Sequence, residues 1–283
     1  MNILIIGGTS SIAQTLKPIL SEFSEVITAG RKDCDIIIDL NNTNQVINFP
    51  DNIDVVLHIA ASFGGNSFED ILNTEYVNVI GTLKLCEAAV KANVKHFIYI
   101  SSIYTELKDN SANYSIYSIS KKHAEEIALF YCKKRQLPIT ILKPTMLYGN
   151  DDSFRKHQPL IYAFADKAQL KENIDIFGNH DAKRNYLHID DLAIIIKKVM
   201  QHTITGSFSL TNTEDVTISQ IARAAMQAFN SNGQINFITN KENIANNVFG
   251  NDNTLYNLIN FFPQITIEQG MNKIAAYRRN TNE

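Results

Sequence analysis

ILIIGGTSSIA, residues 3–13, sets an apolar run directly before Gly7 and Gly8 and carries Ile12 and Ala13 into the helical pattern that follows. A strand, a glycine-rich turn and a helix start bring backbone N–H groups and the positive end of a helix to one place, which suits a diphosphate. Gly7, Gly8, Ser10, Ser11 and Ile12 are therefore candidate cofactor contacts. A two-glycine turn by itself is read equally well as a plain strand-to-helix connection, so the surrounding chain has to decide.

Outward from this turn, short runs rich in isoleucine and valine recur at 26–29, 35–38, 54–60, 96–101 and 139–143, separated by helical periods at 11–23, 67–92 and 115–135. The alternation predicts an α/β fold, a parallel sheet covered by helices on both faces. The gap between the second and third runs is too short for a crossover helix, so a turn must serve there. Beyond residue 150 the pattern loosens: a helix near 158–170, a strand at 174–177, a helix at 191–201 and a strand at 206–210. Asp190 and Asp191 at a helix start, with Lys197 and Lys198 near its end, suit the helix dipole. The expected organisation is a dinucleotide-binding domain over 1–150, with segments near 184–210 returning to it. Residues 151–283 then form mainly a smaller substrate-binding lobe over the sheet's carboxyl edge.

The 283 residues include 26 basic and 29 acidic side chains, so no excess charge points to nucleic acid or an anionic membrane. Cys34, Cys86 and Cys132 are odd in number and widely spaced. That argues against a disulfide framework and a paired metal site, and for a reducing cytoplasmic location. No apolar stretch approaches the roughly 20 residues of a membrane span.

A dinucleotide fold places an acid at the end of its second strand for the adenosine ribose, or a basic residue for a 2′-phosphate. Here that end reads TAGRKD, residues 28–33, and Arg31 with Lys32 favours NADP over NAD, with Asp33 close by.

Tyr117 and Lys121 stand four residues apart in YSISK, which on a helix is about 6 Å along the axis and nearly one face. A phenol near pKa 10 is a poor acid or base at neutral pH unless a cation favours phenolate, and Lys121 together with an oxidised nicotinamide would supply that charge. The segment follows HFIYISSIY at 96–104, where Ser101 and Ser102 end an apolar strand. A serine hydroxyl there can bond both the reacting oxygen and the tyrosine.

With these pieces together, the chain resembles an extended short-chain dehydrogenase/reductase of the NAD-dependent epimerase/dehydratase family, which acts on sugar nucleotides. The resemblance runs through IGGTSSIA (6–13), DVVLHIAAS (54–62), NVIGT (78–82), FIYISS (97–102), YSISK (117–121), LKPTMLYG (142–149), RNYLHIDDLA (184–193) and FSLTNTEDVTISQIA (208–222). It implies a Rossmann-type doubly wound sheet, with Tyr117 as acid/base and Lys121 lowering its pKa and holding the nicotinamide ribose. Ser102 is implied to orient the substrate. Ser10 and Ala13 stand at the second and third glycine positions of the family's turn, and Ser10 offers a hydroxyl to phosphate. Asp39 and Leu40 resemble the adenine-contacting pair; Ala60 and Ala61 line the cofactor; Asn78 supports that strand edge; and Pro144 falls near the nicotinamide. Arg184 is implied to contact the substrate's diphosphate, and Phe63, in FGGN at 63–66, to face the sugar. His58 and His188 are read as packing or hydrogen-bonding residues rather than metal ligands.

Dehydratases of the family carry Asp-Glu after the active-site serine or threonine, where this chain has Ile103-Tyr104, which argues against a 4,6-dehydratase. The expected reaction is NAD(P)H-dependent reduction of a keto group on a nucleotide-linked deoxysugar. The alternative is NAD-dependent 4-epimerisation. Relatives that only sense the dinucleotide typically lose the tyrosine or lysine, and this chain has both. The resemblance further implies a homodimer through a four-helix bundle. The usual Tyr-Gly pair and longer loop after the serine are absent, so part of the usual substrate wall is missing or replaced.

Overall fold

A run such as Ile3-Leu4-Ile5-Ile6 has no polar face, and in this computed structural model it is buried on both sides as strand β1 (Asn2–Ile6). The structure describes residues 1–111 and 113–281; the last two residues of the lobe expected at 151–283 lie outside them. In chain order there follow α1 (Ser11–Ser21), β2 (Glu25–Gly30), β3 (Ile36–Ile37), β4 (Val55–His58), α2 (Phe68–Glu75), a π-helical turn (Tyr76–Ile80), α3 (Gly81–Lys91), β5 (His96–Ile100), α4 (Ile116–Arg135) and β6 (Ile139–Pro144). The remainder is β7 (Met146–Tyr148), α5 (Pro159–Gln169), β8 (Ile174–Phe177), β9 (Lys183–Arg184), β10 (Tyr186–His188), α6 (Ile189–His202), β11 (Gly206–Leu210), β12 (Val216–Thr217), α7 (Ile218–Ala228), β13 (Ile235–Ile238), α8 (Thr254–Ile259) and α9 (Ile267–Thr281).

The chain divides into two compact units, Met1–Pro144 with Ile195–Leu210, and Thr145–Ile194 with Thr211–Glu283. The first is built on a seven-stranded sheet in the order β11-β6-β5-β4-β1-β2-β3, every neighbouring pair parallel. The order reverses between β1 and β4, which opens a crevice at the carboxyl ends of the strands, as expected for a Rossmann-type sheet. The turn joining β2 to β3 is held without a helix. The Asp35 carboxylate accepts from the Thr28 amide at 2.8 Å and the Thr28 hydroxyl at 2.7 Å, and Asp33 takes the left-handed conformation at φ 51°.

The single helix expected over 67–92 is corrected to α2, the π-helical turn and α3. Ser67 caps α2 by accepting from the Asp70 amide. The wider turn carries Asn78, which is buried, and its carboxamide is fully engaged with Ser62 and Ser120. A π-bulge of this kind commonly marks a functional position.

In the second unit β7 pairs with β10 and β8 with β13 in parallel, and β9 pairs with β12 antiparallel. Helix α7 packs against α5 and α9, and its start is fixed by a reciprocal capping box between Thr217 and Gln220. Asp191 does more than face a helix dipole. It is buried, and its carboxylate accepts from the backbone amides of Gln264 and Ile265 at 3.1 and 2.9 Å, anchoring the segment that leads into α9. Among the described residues no helix is long and apolar enough to cross a membrane.

Candidate active site

The glycine turn leaves β1 at the reversal of strand order. Gly7 has φ 94°, and a Cβ there would stand 2.7 Å from the backbone nitrogen of Ala60. A Cβ on Gly8 would stand 2.7 Å from Thr28 Cβ and 2.9 Å from Cys34 Sγ. The turn therefore lies flat against the ends of β2 and β4, with both of its own amides bonded to the Ala29 carbonyl. Ser10 caps α1, its hydroxyl oxygen accepting from the Ala13 amide at 3.2 Å, so the hydroxyl expected at phosphate also organises the helix start to which Ser11 and Ile12 belong. A helix of 11 residues opening from a close-packed glycine turn at a strand-order reversal fits a dinucleotide diphosphate.

The other candidate cofactor residues of this unit fall along the same edge. Arg31 follows β2 and is exposed. Asp39 accepts from the Asn41 amide at 3.0 Å, and Leu40 is buried against Gly81, where a Cβ would lie 3.1 Å from the leucine Cβ. Ala60 and Ala61 follow β4, and Pro144 ends β6. Asn78 accepts from the Ser62 amide at 2.7 Å and donates to the Ser62 carbonyl and the Ser120 hydroxyl, both at 2.8 Å, so the segment after β4 is tied to α4.

Ser102 follows β5, and its hydroxyl accepts from the Tyr104 amide at 3.2 Å. Tyr117 lies in the first turn of α4, its phenol under the influence of the Ser102 hydroxyl, and its ring stacks on Phe63. Burial pushes the phenol up to about 12, against the Ser102 hydroxyl, with Tyr104 adding to the rise. Lys121, buried at 1% exposure, donates from Nζ to the Ile100 carbonyl at 2.7 Å, with Nζ 4.2 Å from the centre of the Tyr99 ring. Burial brings its ammonium down to about 7, and Glu125 opposes that shift. Among the protein's own groups burial is the leading influence on the phenol, and the Lys121 ammonium is directed to the end of β5.

Beneath Lys121 lies a buried polar layer. Thr82 donates to the Asn78 carbonyl at 2.5 Å, so the 2.9 Å contact with His58 Nε2 has the imidazole as donor. The His58 ring stacks on Tyr99 at 5.0 Å, and burial, then the Lys121 charge, hold it neutral. In the second unit His188 bonds Asn150 through Nε2 at 3.1 Å and accepts from the Asp190 amide. Arg184 donates from Nη1 to the Lys183 and Ala245 carbonyls at 2.8 and 2.6 Å, so part of its fork already braces the chain.

The side chain of Glu125 carried no expectation. Ser101 donates to the carboxylate of Glu125, one turn beyond Lys121 on α4. The signal was present as a spacing of four from Lys121, indistinguishable in sequence from an ordinary helix ion pair.

Residues 3–209 match the NAD dependent epimerase/dehydratase family. The chain is 26% identical over 251 residues to a UDP-glucose 4-epimerase of Vibrio cholerae, covering 78% of this chain and 74% of that protein. It is 28% identical over 243 residues to a dTDP-D-glucose 4,6-dehydratase of Dictyostelium discoideum, covering 69% of this chain and 55% of that protein, so it spans little more than half of that relative's length. The solved structure of RMD from Pseudomonas aeruginosa complexed with NADPH has the same fold, with a TM-score of 0.80 at 18% identity over 99% of each chain. A match over most of the chain, on a parallel sheet with the glycine turn and the serine, tyrosine and lysine at its edge, makes this protein a member of the NAD dependent epimerase/dehydratase family of extended short-chain dehydrogenases/reductases.

Proposed function

We propose that the chain is an NADPH-dependent reductase of a keto group on a nucleotide-linked deoxysugar. The observation that carries this reading is the Tyr117 phenol in the first turn of α4, stacked on Phe63 and influenced by the Ser102 hydroxyl, with burial further favouring its protonated form. A neutral phenol is a proton donor, which reduction of a ketone requires; an epimerase must first take a proton from an alcohol. NADPH, when bound, supplies the hydride. Tyr117 gives its proton to the developing alkoxide, Ser102 holds that oxygen in line, and Lys121 meets the nicotinamide ribose with its ammonium. Arg31 receives the 2′-phosphate, and Gly7 to Ile12 receive the diphosphate. Asp39 and Leu40 flank the adenine; Ala60, Ala61 and Pro144 line the cofactor, with Asn78 bracing that edge. Phe63 faces the sugar of the nucleotide-linked substrate.

Ile103, fully buried, and Tyr104 provide no carboxylate after the serine, which supports a reaction without water loss. NAD-dependent 4-epimerisation is the second reading, favoured by the likeness to the Vibrio cholerae enzyme. The exposed Ile71, Leu72, Tyr76, Ile80 and Phe130 of α2, the π-helical turn and α4 suit a homodimer. The purified protein tests the choice. Steady NADPH oxidation with a 4-keto-6-deoxy sugar nucleotide supports the reductase, and bound NAD that survives dialysis supports the epimerase. Cofactor binding without turnover across a broad panel of sugar nucleotides would overturn both.

A further inference from the structure

Three consecutive residues at the end of β5 are each tied to α4. The Ile100 carbonyl accepts from Lys121, the Ser101 hydroxyl donates to Glu125, and the Ser102 hydroxyl influences the Tyr117 phenol. The helix partners stand at 117, 121 and 125, a spacing of four that keeps them on one side of α4. Two of the three have parts in the proposed chemistry, and Glu125 has none.

The surroundings of Glu125 define what it does. Lys143 of β6 faces it, as do Ser101 and Thr105 from the end of β5 and the turn beyond, and Lys121 from its own helix. Burial raises its carboxyl, while the Ser101 hydrogen bond, Lys143, Thr105 and Lys121 favour the ionised form. Lys143 is itself paired with Glu106 at 2.7 Å, and Glu106 also accepts from Ser209. Around Lys121 stand Tyr99, the neutral His58 and the Ile100 carbonyl. Glu125 stands one helical turn beyond Lys121, its carboxylate bonded to Ser101 next to the carbonyl that Lys121 engages, and its charge favours the ammonium.

We propose that Glu125 is a positioning residue: its carboxylate is the counter-charge of the Lys121 ammonium and, through Ser101, fixes the strand end that presents Ser102 to Tyr117. This rests on the reading in which Lys121 meets the cofactor as a cation. The two actions separate by substitution. Glu125→Gln keeps an oxygen that can accept from Ser101 and removes the charge, whereas Ser101→Ala keeps the charge and removes the bond.

The test is a fluorescence titration with NADPH at several pH values, alongside kcat for the keto-sugar nucleotide. An ammonium without its counter-charge loses its proton at lower pH. Glu125→Gln should therefore bind NADPH about tenfold more weakly than wild type at about pH 8, with a smaller deficit at about pH 6, because an ammonium that titrates about one pH unit lower is about tenfold scarcer above its pKa. Ser101→Ala should keep the wild-type pH dependence of binding and lower kcat. Glu125→Asp, which restores the charge on a shorter arm, should behave like Ser101→Ala and serves if the glutamine variant fails to fold. Binding curves of Glu125→Gln that superimpose on wild type at every pH would overturn the proposal, as would a changed pH dependence in Glu125→Asp. A wild-type protein that binds neither NADPH nor NADH would overturn the parent reading and this one with it.

Discussion

The ring of Phe63 lies over the ring of Tyr117, with centroids 4.8 Å apart and planes 16° from parallel. Gly64, next in the chain, has φ 73°, and a Cβ there would stand 2.5 Å from Ile116 Cγ2, so the loop reaches this position on a glycine. Phe63 covers the phenol while remaining half exposed itself. Because burial is the leading cause of the Tyr117 rise, Phe63→Ala should let the phenol titrate lower and move the alkaline limb of kcat/KM to lower pH. A stacked aromatic contact is worth about 0.5–1.5 kcal/mol, so KM for the sugar nucleotide should rise by up to about tenfold if the ring also packs on the sugar. A pH–rate profile identical to wild type would remove Phe63 from the site.

Tyr117→Phe keeps the stacking surface and removes the proton. If the phenol is the acid, kcat should fall by roughly 10²–10⁴-fold, the usual range for a positioned general acid, with NADPH binding retained. Single-turnover measurement of NADPH oxidation checks this. A loss confined to KM would assign Tyr117 to binding instead.

The residues explain which parts of this fold and site were legible. Long isoleucine- and valine-rich runs gave the parallel sheet, because a strand buried on both faces leaves no room for polar alternation; β1 and β5 are the clearest cases. The break at Asn78 was not visible, since Val77, Val79 and Ile80 continue the apolar pattern through the π-helical turn, and what sets the turn is the bonding of Asn78 to Ser62 and Ser120, far away in sequence. Strands β9 and β12, two residues each, carry no period to read. Helix α7 was missed although its capping box, Thr217 to Gln220, was there to be found. In the site, the spacing of Tyr117 and Lys121 was legible, but the direction of their pKa shifts was not, because burial is a property of the packed chain.

Cofactor preference should follow Arg31. The carboxylate of Asp35 is engaged by the amide and hydroxyl of Thr28, which leaves the exposed Arg31 as the side chain directly after β2. A hydrogen bond to a charged group contributes about 1.5–3 kcal/mol, so Arg31→Ala should weaken NADPH binding by at least about tenfold and leave NADH binding nearly unchanged. Parallel fluorescence titrations with the two reduced cofactors measure the ratio. Equal losses for both would refute the assignment.

Acid stability should depend on His96. Thr140 donates its hydroxyl proton to the Ile204 carbonyl, so the 2.7 Å contact with His96 Nε2 has the imidazole as donor and leaves Nδ1 bare. Among the described residues this nitrogen has no hydrogen-bond partner, and burial lowers the imidazole from 6.5 to about 4. Between those values the unfolded chain holds a proton that the folded chain does not, so stability falls as pH drops through the window, by about 1.4 kcal/mol per pH unit. His188, also lowered to about 4, acts with the same sign. In His96→Leu the acid slope of urea-unfolding free energy should be shallower than in wild type, and an unchanged slope would show that His96 is not its source.

The glycine turn offers the sharpest contrast between two neighbouring substitutions. At Gly7 a Cβ would meet Ala60 backbone, which cannot swing aside as a side chain can, and φ is 94°. Gly7→Ala should therefore cost roughly 1–3 kcal/mol of stability and displace the turn from the end of β4. Ser10→Gly removes a helix cap, but glycine is itself tolerated at that position, so the cost should be a few tenths of a kcal/mol. If the turn is the diphosphate cradle, NADPH affinity should drop in Gly7→Ala by more than the change in melting temperature explains, and stay close to wild type in Ser10→Gly. The reverse order would mean that the cofactor is held by the Ser10 hydroxyl rather than by the backbone of a close-packed glycine turn.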